Sequence, residues 1–505
     1  MLPKKPYGDK RVRRVGWSIN SRGRRSCACW RKPIQAIAIN TDLDARYAVL
    51  RAAATTQAAP DAAERKRHLR SLARALRKHR RPLERAVRAD FGNRSVHETR
   101  LLELFLAHEA ANVAARNVAD WMAPQKRAVA KWYAPAHARI VWQPLGVVGI
   151  IAPWNYPILL AAGPLVGALS AGNRVLIKTS EHAPQTGEAF AAMIASIFAS
   201  DHVSVIGGEA DVAQAFSALP LDHLLFTGST TNGKSVMRAA ADNLTPVTLE
   251  LGGKSPAIVG PDADLDVAAA RIMTGKCSNA GQTCVAPDYV LVPEGSEDAF
   301  LAAAQAAVAR RYPRLAGNPD YTTIVSDRHV RRLAGYLADA RTQGARVVPL
   351  HPRETEIDPT TRMIPPLAVL AVSDDMQIMQ DEIFGPLLPI RTYRTLDDAI
   401  AYVNARPRPL ALYYFGDRKP ESERVIAQTI SGGVTLNDTM LHVAQDDLPF
   451  GGVGPSGTGA YHGRDGFERF SHKKPIFAQA RRNLLGLFEP PYGSRFDALF
   501  RLLMR

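Results

Sequence analysis

Five short β-rich runs alternate with helical segments between residues 147 and 249, and this alternation limits the possible folds more than any other feature. Strands that alternate with helices form α/β folds with a parallel sheet. We therefore predict an α/β fold whose first unit is a parallel sheet of the dinucleotide-binding, Rossmann type. The predicted strands are residues 147–151, 174–178, 202–206, 223–227 and 246–249.

A second α/β unit follows in the chain. Short apolar runs again alternate with longer helical patterns, and no internal repeat relates the two units. The second unit therefore predicts a separate sheet. Its predicted strands are residues 257–259, 289–292, 347–350, 387–393, 410–415 and 433–436.

The net charge of +16 is concentrated at the N-terminus. Residues 1–39 contain eleven Lys or Arg and one acid, so they account for +10 of that charge. This composition predicts a disordered basic extension. It could bind nucleic acid or another acidic surface, act as a targeting peptide, or lie upstream of the working protein. We favour the last alternative or a passive tail, and we expect no nucleic-acid partner.

The four cysteines do not form a disulfide framework, which favours a reducing, cytoplasmic compartment. Cys27 and Cys29 lie in the basic extension and lack a second pair of ligands, so we expect no metal site. The other two are Cys277 and Cys284.

Residues 140–173 are uncharged, but prolines and glycines interrupt them, so we predict a strand, a loop and a buried helix and no membrane association.

Three side chains predict chemistry at a carbonyl group. Cys284 in Gly-Gln-Thr-Cys offers a nucleophilic thiol, Glu250 in Glu-Leu-Gly-Gly-Lys offers a base, and Asn155 offers an amide that could stabilise an oxyanion. The neighbours of Glu250 are apolar, so burial should raise its pKa. The alternatives are a small buried cysteine, an ion pair between Glu250 and Lys254, and an ordinary turn at Asn155.

The predicted first sheet also carries candidate nucleotide-binding residues. Gly228, Ser229 and Gly233 lie in a strand-to-helix turn, where Ser229 could cap the helix or donate to a phosphate. Lys178 and Glu181 follow another strand end, where a ribose would lie. A tight turn and an exposed charged pair are the alternatives.

These residues resemble the NAD(P)-dependent aldehyde dehydrogenase superfamily from about residue 42 to the C-terminus. Its class 3 branch is the most similar, and within it the bacterial coniferyl aldehyde dehydrogenases. The motifs are Pro153-Trp-Asn-Tyr-Pro157, Phe226-Thr-Gly-Ser229, Glu250-Leu-Gly-Gly-Lys254, Gly281-Gln-Thr-Cys284, Glu382-Ile-Phe-Gly-Pro386 and Pro449-Phe-Gly-Gly-Val-Gly454. Thr179 departs from the family, which usually has proline there, and this leaves the choice between NAD and NADP open.

The resemblance implies oxidation of an aldehyde to a carboxylic acid through a thioester on Cys284. Glu250 would activate water, and Asn155 with the Cys284 backbone N–H would bind the oxyanion. Glu382 would bind the nicotinamide ribose, with Phe384 packing nearby and Trp154 lining the cleft. Glu181 would repel a 2′-phosphate, so we expect NAD, with NADP as the alternative.

The resemblance also implies a domain organisation and a homodimer. We expect a cofactor-binding domain at 40–249, an oligomerisation hairpin near 125–145, a catalytic domain at 250–430 and a segment at 431–505 that returns to the cofactor domain and dimer interface. We expect an aryl or cinnamyl-type aldehyde as substrate. The alternatives are a medium- or long-chain aliphatic aldehyde, or a non-catalytic binding protein that uses the basic extension.

Overall fold

Three β-sheets organise residues 41–483 and 485–504, which are the part of the chain that this computed structural model describes. A six-stranded and a seven-stranded sheet are mainly parallel, and a three-stranded sheet is antiparallel. The strands are β1 Gln125–Arg127, β2 His137–Pro144, β3 Val147–Ile151, β4 Arg174–Lys178, β5 Val203–Ile206, β6 His223–Thr227, β7 Val247–Glu250, β8 Pro256–Val259, β9 Tyr289–Pro293, β10 Arg346–Pro349, β11 Leu367–Leu370, β12 Leu387–Tyr393, β13 Ala411–Phe415, β14 Gly433–Leu436, β15 Gly457–Thr458 and β16 Ser471–Ala478.

Helices connect the strands and cover the sheets. A π-helical segment, Thr99–Phe105, joins α4 to α5. The α-helices are α1 Thr41–Thr56, α2 Ala62–Lys78, α3 Arg80–Phe91, α4 Val96–Glu98, α5 Leu106–Met122, α6 Leu159–Ala171, α7 Pro184–Ala195, α8 Ala210–Ser217, α9 Thr230–Ala241, α10 Leu265–Cys277, α11 Glu297–Arg311, α12 Asp327–Thr342, α13 Gln377–Gln380, α14 Leu396–Asn404, α15 Lys419–Gln428, α16 Gly463–Arg469 and α17 Ser494–Leu503.

The six-stranded sheet confirms the predicted parallel arrangement. Its order is β15-β7-β6-β3-β4-β5, and only the pair β15–β7 is antiparallel. All five residues of β3 are buried, because helices cover both faces of a parallel sheet and leave no polar side. The carboxyl ends of β3, β6 and β7 therefore meet at one edge.

The seven-stranded sheet has the order β10-β11-β12-β9-β8-β13-β14. The six predicted strands of this unit are present, with ends that differ by one residue at most. β11 was missed by the sequence analysis. Its four residues are all buried and apolar, so the strand has no alternating pattern that could separate it from the surrounding apolar run.

The third sheet contains the predicted hairpin arm. β2 pairs with β1 on one side and with β16 on the other, both antiparallel. Residues 140–173 contain the end of β2, then β3, a loop and the buried helix α6, as predicted. Among the described helices, none is long and apolar enough to cross a membrane. The basic extension, with Cys27 and Cys29, lies outside the described residues.

Candidate active site

One cavity brings together most of the residues singled out in the sequence. Its volume is about 510 Å3, and it lies at the carboxyl edge of the six-stranded sheet. The candidate residues that line it are Trp154, Asn155, Gly228, Ser229, Glu250, Cys284, Glu382 and Phe384. Lys178, Glu181 and Gly233 are not among its lining residues. The structure thus separates the candidate reactive groups from the groups expected near an adenine ribose.

A strained turn presents Cys284. Asn279 and Ala280 have φ values of 50° and 51°, and Gly281 has a φ of 74°. Non-glycine residues adopt this region at an energetic cost, and such strain concentrates at functional sites. A Cβ at Gly281 would lie 2.3 Å from the Gly385 carbonyl oxygen, so this close approach requires glycine.

Hydrogen bonds fix Asn155 next to that turn. The Asn155 side-chain amide donates to the Gln282 carbonyl at 3.2 Å. The backbone carbonyl of Asn155 accepts from the side-chain amide of Asn279 at 3.0 Å and from the Arg94 guanidinium at 2.8 Å. Because these partners are buried, the side chain is held against the Cys284 segment before any ligand binds.

A buried ion pair that sequence reasoning missed supports this loop. Arg94 and Glu103 are both fully buried and their charged groups are 3.4 Å apart. Glu103 also accepts from the backbone N–H of Ile158 at 2.8 Å, at the start of α6. A single sequence offers no signal that this Arg and this Glu are buried, since both belong to a segment rich in charged residues.

Glu250 lies at the end of β7 and is only 2 % exposed. Both carboxylate oxygens lack a hydrogen-bond partner among the described residues. Burial raises the pKa of Glu250 well above its ordinary value, as predicted, although the charge of Arg469 opposes this shift. The alternative ion pair with Lys254 is wrong, because Lys254 pairs instead with Asp288.

The Cys284 thiol is partly buried, and its pKa is raised from 9.0 to about 12. Burial is the main cause, followed by the negative charges of Glu382 and Glu250, and the backbone N–H groups of Cys284 and Val285 act in the opposite direction. The protein alone therefore keeps the thiol protonated near neutral pH. A positive charge in the cavity would be needed to raise the thiolate fraction.

Glu382 and Phe384 line the same cavity. Burial, followed by the charge of Asp288, raises the pKa of Glu382 to about 8, and its Oε1 has no hydrogen-bond partner in the described chain. A Cβ at Gly252 would be 2.1 Å from the Glu382 carboxylate, so glycine makes room for this side chain. Phe384 has a φ of 49°, and the centroid of its ring is 5.4 Å from that of Trp154.

Lys254 and Asp288 hold the segment that carries Glu382. The Lys254 ammonium donates to Asp288 and to the carbonyls of Ile378 and Asp381, the last two at 2.8 Å. The second oxygen of Asp288 accepts from the Ile383 N–H at 2.8 Å. This buried pair therefore fixes the backbone on both sides of Glu382.

The remaining nucleotide-site candidates lie further along the same sheet. Ser229 caps α9, as predicted, by accepting from the Asn232 N–H at 3.3 Å. Lys178 donates to Glu181 at 2.7 Å, and Lys178 is buried, so the alternative of an exposed charged pair is wrong for the lysine. Gly233 packs against Leu251, where a Cβ would lie 2.6 Å from the leucine side chain.

A thiol, an oriented amide and a buried carboxylate without a hydrogen-bond partner in the described chain are the groups that an enzyme acting on a carbonyl group needs. The model of the aldehyde dehydrogenase family matches residues 26–476. The chain belongs to the aldehyde dehydrogenase family. The matched region begins at residue 26, earlier than the start near residue 42 inferred from the motifs.

Two relatives show the similarity of the sequence. The chain is 53 % identical over 464 residues to a Pseudomonas aeruginosa protein named "Probable coniferyl aldehyde dehydrogenase", covering 92 % of this chain and 96 % of that protein. It is 49 % identical over 421 residues to the coniferyl aldehyde dehydrogenase of a Pseudomonas species, covering 83 % of this chain and 87 % of the other.

Two solved structures show the similarity of the fold. A substrate-bound Staphylococcus aureus AldH superposes with a TM-score of 0.86 at 37 % identity, covering 91 % of this chain and 99 % of that one. Betaine aldehyde dehydrogenase from Staphylococcus aureus in complex with NAD+ superposes with a TM-score of 0.78 at 28 % identity, covering 89 % of each chain. These matches confirm the predicted aldehyde dehydrogenase fold.

Proposed function

We propose that this enzyme oxidises coniferyl aldehyde, or a related aryl or cinnamyl aldehyde, to the carboxylic acid with NAD+ as the oxidant. The observation that carries the proposal is the single cavity that holds Cys284, Asn155, Glu250 and Glu382. The names of the two relatives support the substrate.

In the first step, the Cys284 thiol loses its proton to solvent, and the thiolate sulfur attacks the aldehyde carbon, so that the carbonyl oxygen gains the negative charge. The Asn155 amide and the Cys284 backbone N–H donate to that oxygen. A preformed donor of this kind contributes about 3 kcal/mol to transition-state stabilisation, because it needs no reorganisation during the reaction. The contacts of Asn155 with the Cys284 segment support this role.

Bound NAD+ would supply the acceptor for the hydride of the tetrahedral carbon. The residues present fit this cofactor, because Glu382 offers a buried oxygen without a partner for a ribose hydroxyl. Phe384 and Trp154 offer aromatic surface near the nicotinamide. The positive nicotinamide would also favour the thiolate form of Cys284.

Glu250 then removes a proton from the water that attacks the thioester carbon, and the bond to sulfur breaks to release the acid. The raised pKa of Glu250 suits a general base that works near neutral pH. The absence of a protein partner for either oxygen leaves the carboxylate available to water.

At the other end of the cofactor, we assign Lys178 and Glu181 to the adenine ribose and Ser229 with Gly228 and Gly233 to the adjoining cleft. Glu181, which forms a salt bridge with Lys178, places a carboxylate at the position proposed for the adenine ribose. Because a carboxylate repels a 2′-phosphate, NAD is proposed over NADP.

A homodimer, a cytoplasmic location and the four-part division of the chain complete the proposal. The three-stranded sheet supports the dimer, since Trp132, Tyr133 and Phe477 leave aromatic surface exposed around it. A solved structure of the dimer would show whether the hairpin near residues 125–145 and the segment 431–505 form the interface.

NADH formation by the wild type and by Cys284→Ala, with coniferaldehyde, benzaldehyde and decanal in parallel, tests the proposal. Coniferaldehyde should give the highest kcat/KM, and the variant should retain NAD+ binding but lose turnover. Cys277→Ala is the matched control, because Cys277 is a buried cysteine outside the cavity lining. Substantial turnover by Cys284→Ala would refute the nucleophile, and a preference for decanal would move the substrate to aliphatic aldehydes.

A further inference from the structure

A second cavity, of about 200 Å3, is lined in part by Tyr461 and shares no lining residue with the cavity that holds Cys284. Its walls are mainly apolar and come from α5, α6 and the residues 443–446 and 461–466. Tyr461 lines this cavity, and its hydroxyl has a raised pKa because of burial and the nearby charges of Glu250 and Cys284. Because Glu250 and Cys284 are close enough to Tyr461 for their charges to act on it, this cavity adjoins the reactive groups and is a candidate site for the part of an aldehyde that lies away from the carbonyl group.

Two polar side chains in this cavity lack partners. The Asp446 carboxylate forms no hydrogen bond or ion pair with a described residue. The neighbouring Glu109 is paired with Arg116 at 2.8 Å. Burial, followed by the charge of Glu109, raises the pKa of Asp446 to about 6, so its carboxylate is mostly ionised at pH 7 and can accept hydrogen bonds.

His462 is the second side chain. Its Nδ1 is shielded and has no partner in the described chain, while the ring stacks on Phe450 at 5.2 Å. Burial lowers the pKa of His462 to about 4, so the imidazole is neutral at pH 7. A neutral imidazole carries one N–H, and a shielded nitrogen without a partner more readily bears the lone pair than the hydrogen. Nε2 then carries the hydrogen and is the donor.

The backbone of His462 is also unusual. Its φ of 139° lies in a region that non-glycine residues rarely adopt, and Gly463 follows with a φ of 44°. A Cβ at Gly463 would lie 2.0 Å from the Asp446 carbonyl oxygen, so the two segments approach closely here. This backbone contact places the segments that carry His462 and Asp446 side by side, and both residues line the cavity.

A neutral donor and an anionic acceptor together match a hydroxyl group, which accepts one hydrogen bond and donates another. We propose that His462 and Asp446 select aldehydes that carry a hydroxyl group on an aromatic ring, by binding that hydroxyl in the second cavity. This inference rests on the proposed aldehyde oxidation. An aliphatic aldehyde would bury both polar groups without partners, which disfavours it as a substrate.

The test compares coniferaldehyde with 3,4-dimethoxycinnamaldehyde, in which a methyl group replaces the hydroxyl hydrogen. In wild type, coniferaldehyde should have the higher kcat/KM. His462→Phe keeps an aromatic ring beside Phe450 but removes the donor, and Asp446→Asn removes the charged acceptor. Each substitution should reduce the coniferaldehyde-to-dimethoxy ratio by about tenfold, the usual effect of losing one hydrogen bond of about 1.4 kcal/mol.

The ratio is measured within one protein preparation, so a partly unfolded variant does not distort it. His97→Phe is the matched control, because His97 is exposed and outside this cavity, and its ratio should equal that of wild type. An unchanged ratio in both His462→Phe and Asp446→Asn would overturn the inference while leaving aldehyde oxidation intact. Absence of Cys284-dependent turnover in wild type would instead overturn the proposed function itself.

Discussion

The Cys284 thiol should react slowly with a neutral alkylating reagent such as iodoacetamide when no cofactor is bound. Its pKa of about 12 is three pH units above the ordinary 9.0. Each unit reduces the thiolate fraction tenfold at a pH well below both values, so about a thousandfold less thiolate is available than in an exposed cysteine. At pH 8 the expected fraction is about one in ten thousand.

The assay follows the loss of aldehyde-dependent NADH formation during alkylation from pH 7 to pH 10, with peptide mass spectrometry to confirm modification at Cys284. The logarithm of the rate should rise with a slope of one and without a plateau. Cys277→Ala serves as the control and should give the same profile. Saturating NAD+ should increase the rate near pH 8, since a positive ring stabilises the thiolate. A plateau at pH 8 to 9 without cofactor would refute the reasoning.

Two further substitutions test the carboxylate and the support of the cofactor wall. The amide in Glu250→Gln cannot accept a proton from water, so steady-state turnover should fall by at least about 100-fold, while a burst of about one NADH per site remains. Stopped-flow absorbance would detect the burst. Loss of the burst would contradict the proposed role of Glu250. Lys254→Met leaves Asp288 buried without its cation, so the free energy of unfolding should decrease by about 3 to 5 kcal/mol. Denaturant titration measures this change, and an unaltered midpoint would argue against a structural role for the pair.

The local sequence predicted most of the strands and the candidate residues that meet in the cavity. Short apolar runs between helical segments located the strands because parallel sheets are buried on both faces. Glu250, Asn155 and Cys284 were recognisable because each follows a predicted strand or lies in a motif with glycine or proline. The cavity that joins them forms where the carboxyl ends of β3, β6 and β7 meet loop residues of the second unit, among them Cys284 and Glu382.

The supporting contacts were not predictable from local pattern. Arg94 and Glu103 occur in a charged segment, where exposed side chains are the usual outcome, but the fold buries both against the Asn155 loop. The ion pair of Lys254 with Asp288 was not predicted, because the two residues are 34 positions apart and Asp288 comes from a different strand connection. Such pairings depend on which loops the two sheets bring together.

The pairing of β15 with β7 has a consequence for how the enzyme matures during synthesis. Gly457 pairs with Glu250 itself, although about 200 residues of chain separate them. Until that segment has left the ribosome, the strand that carries Glu250 is an edge strand, and its unpaired backbone groups can form hydrogen bonds with a strand of another chain. A nascent chain or a product truncated before residue 457 would therefore lack the neighbour that covers this edge, and it would be prone to aggregation at the strand that ends in Glu250.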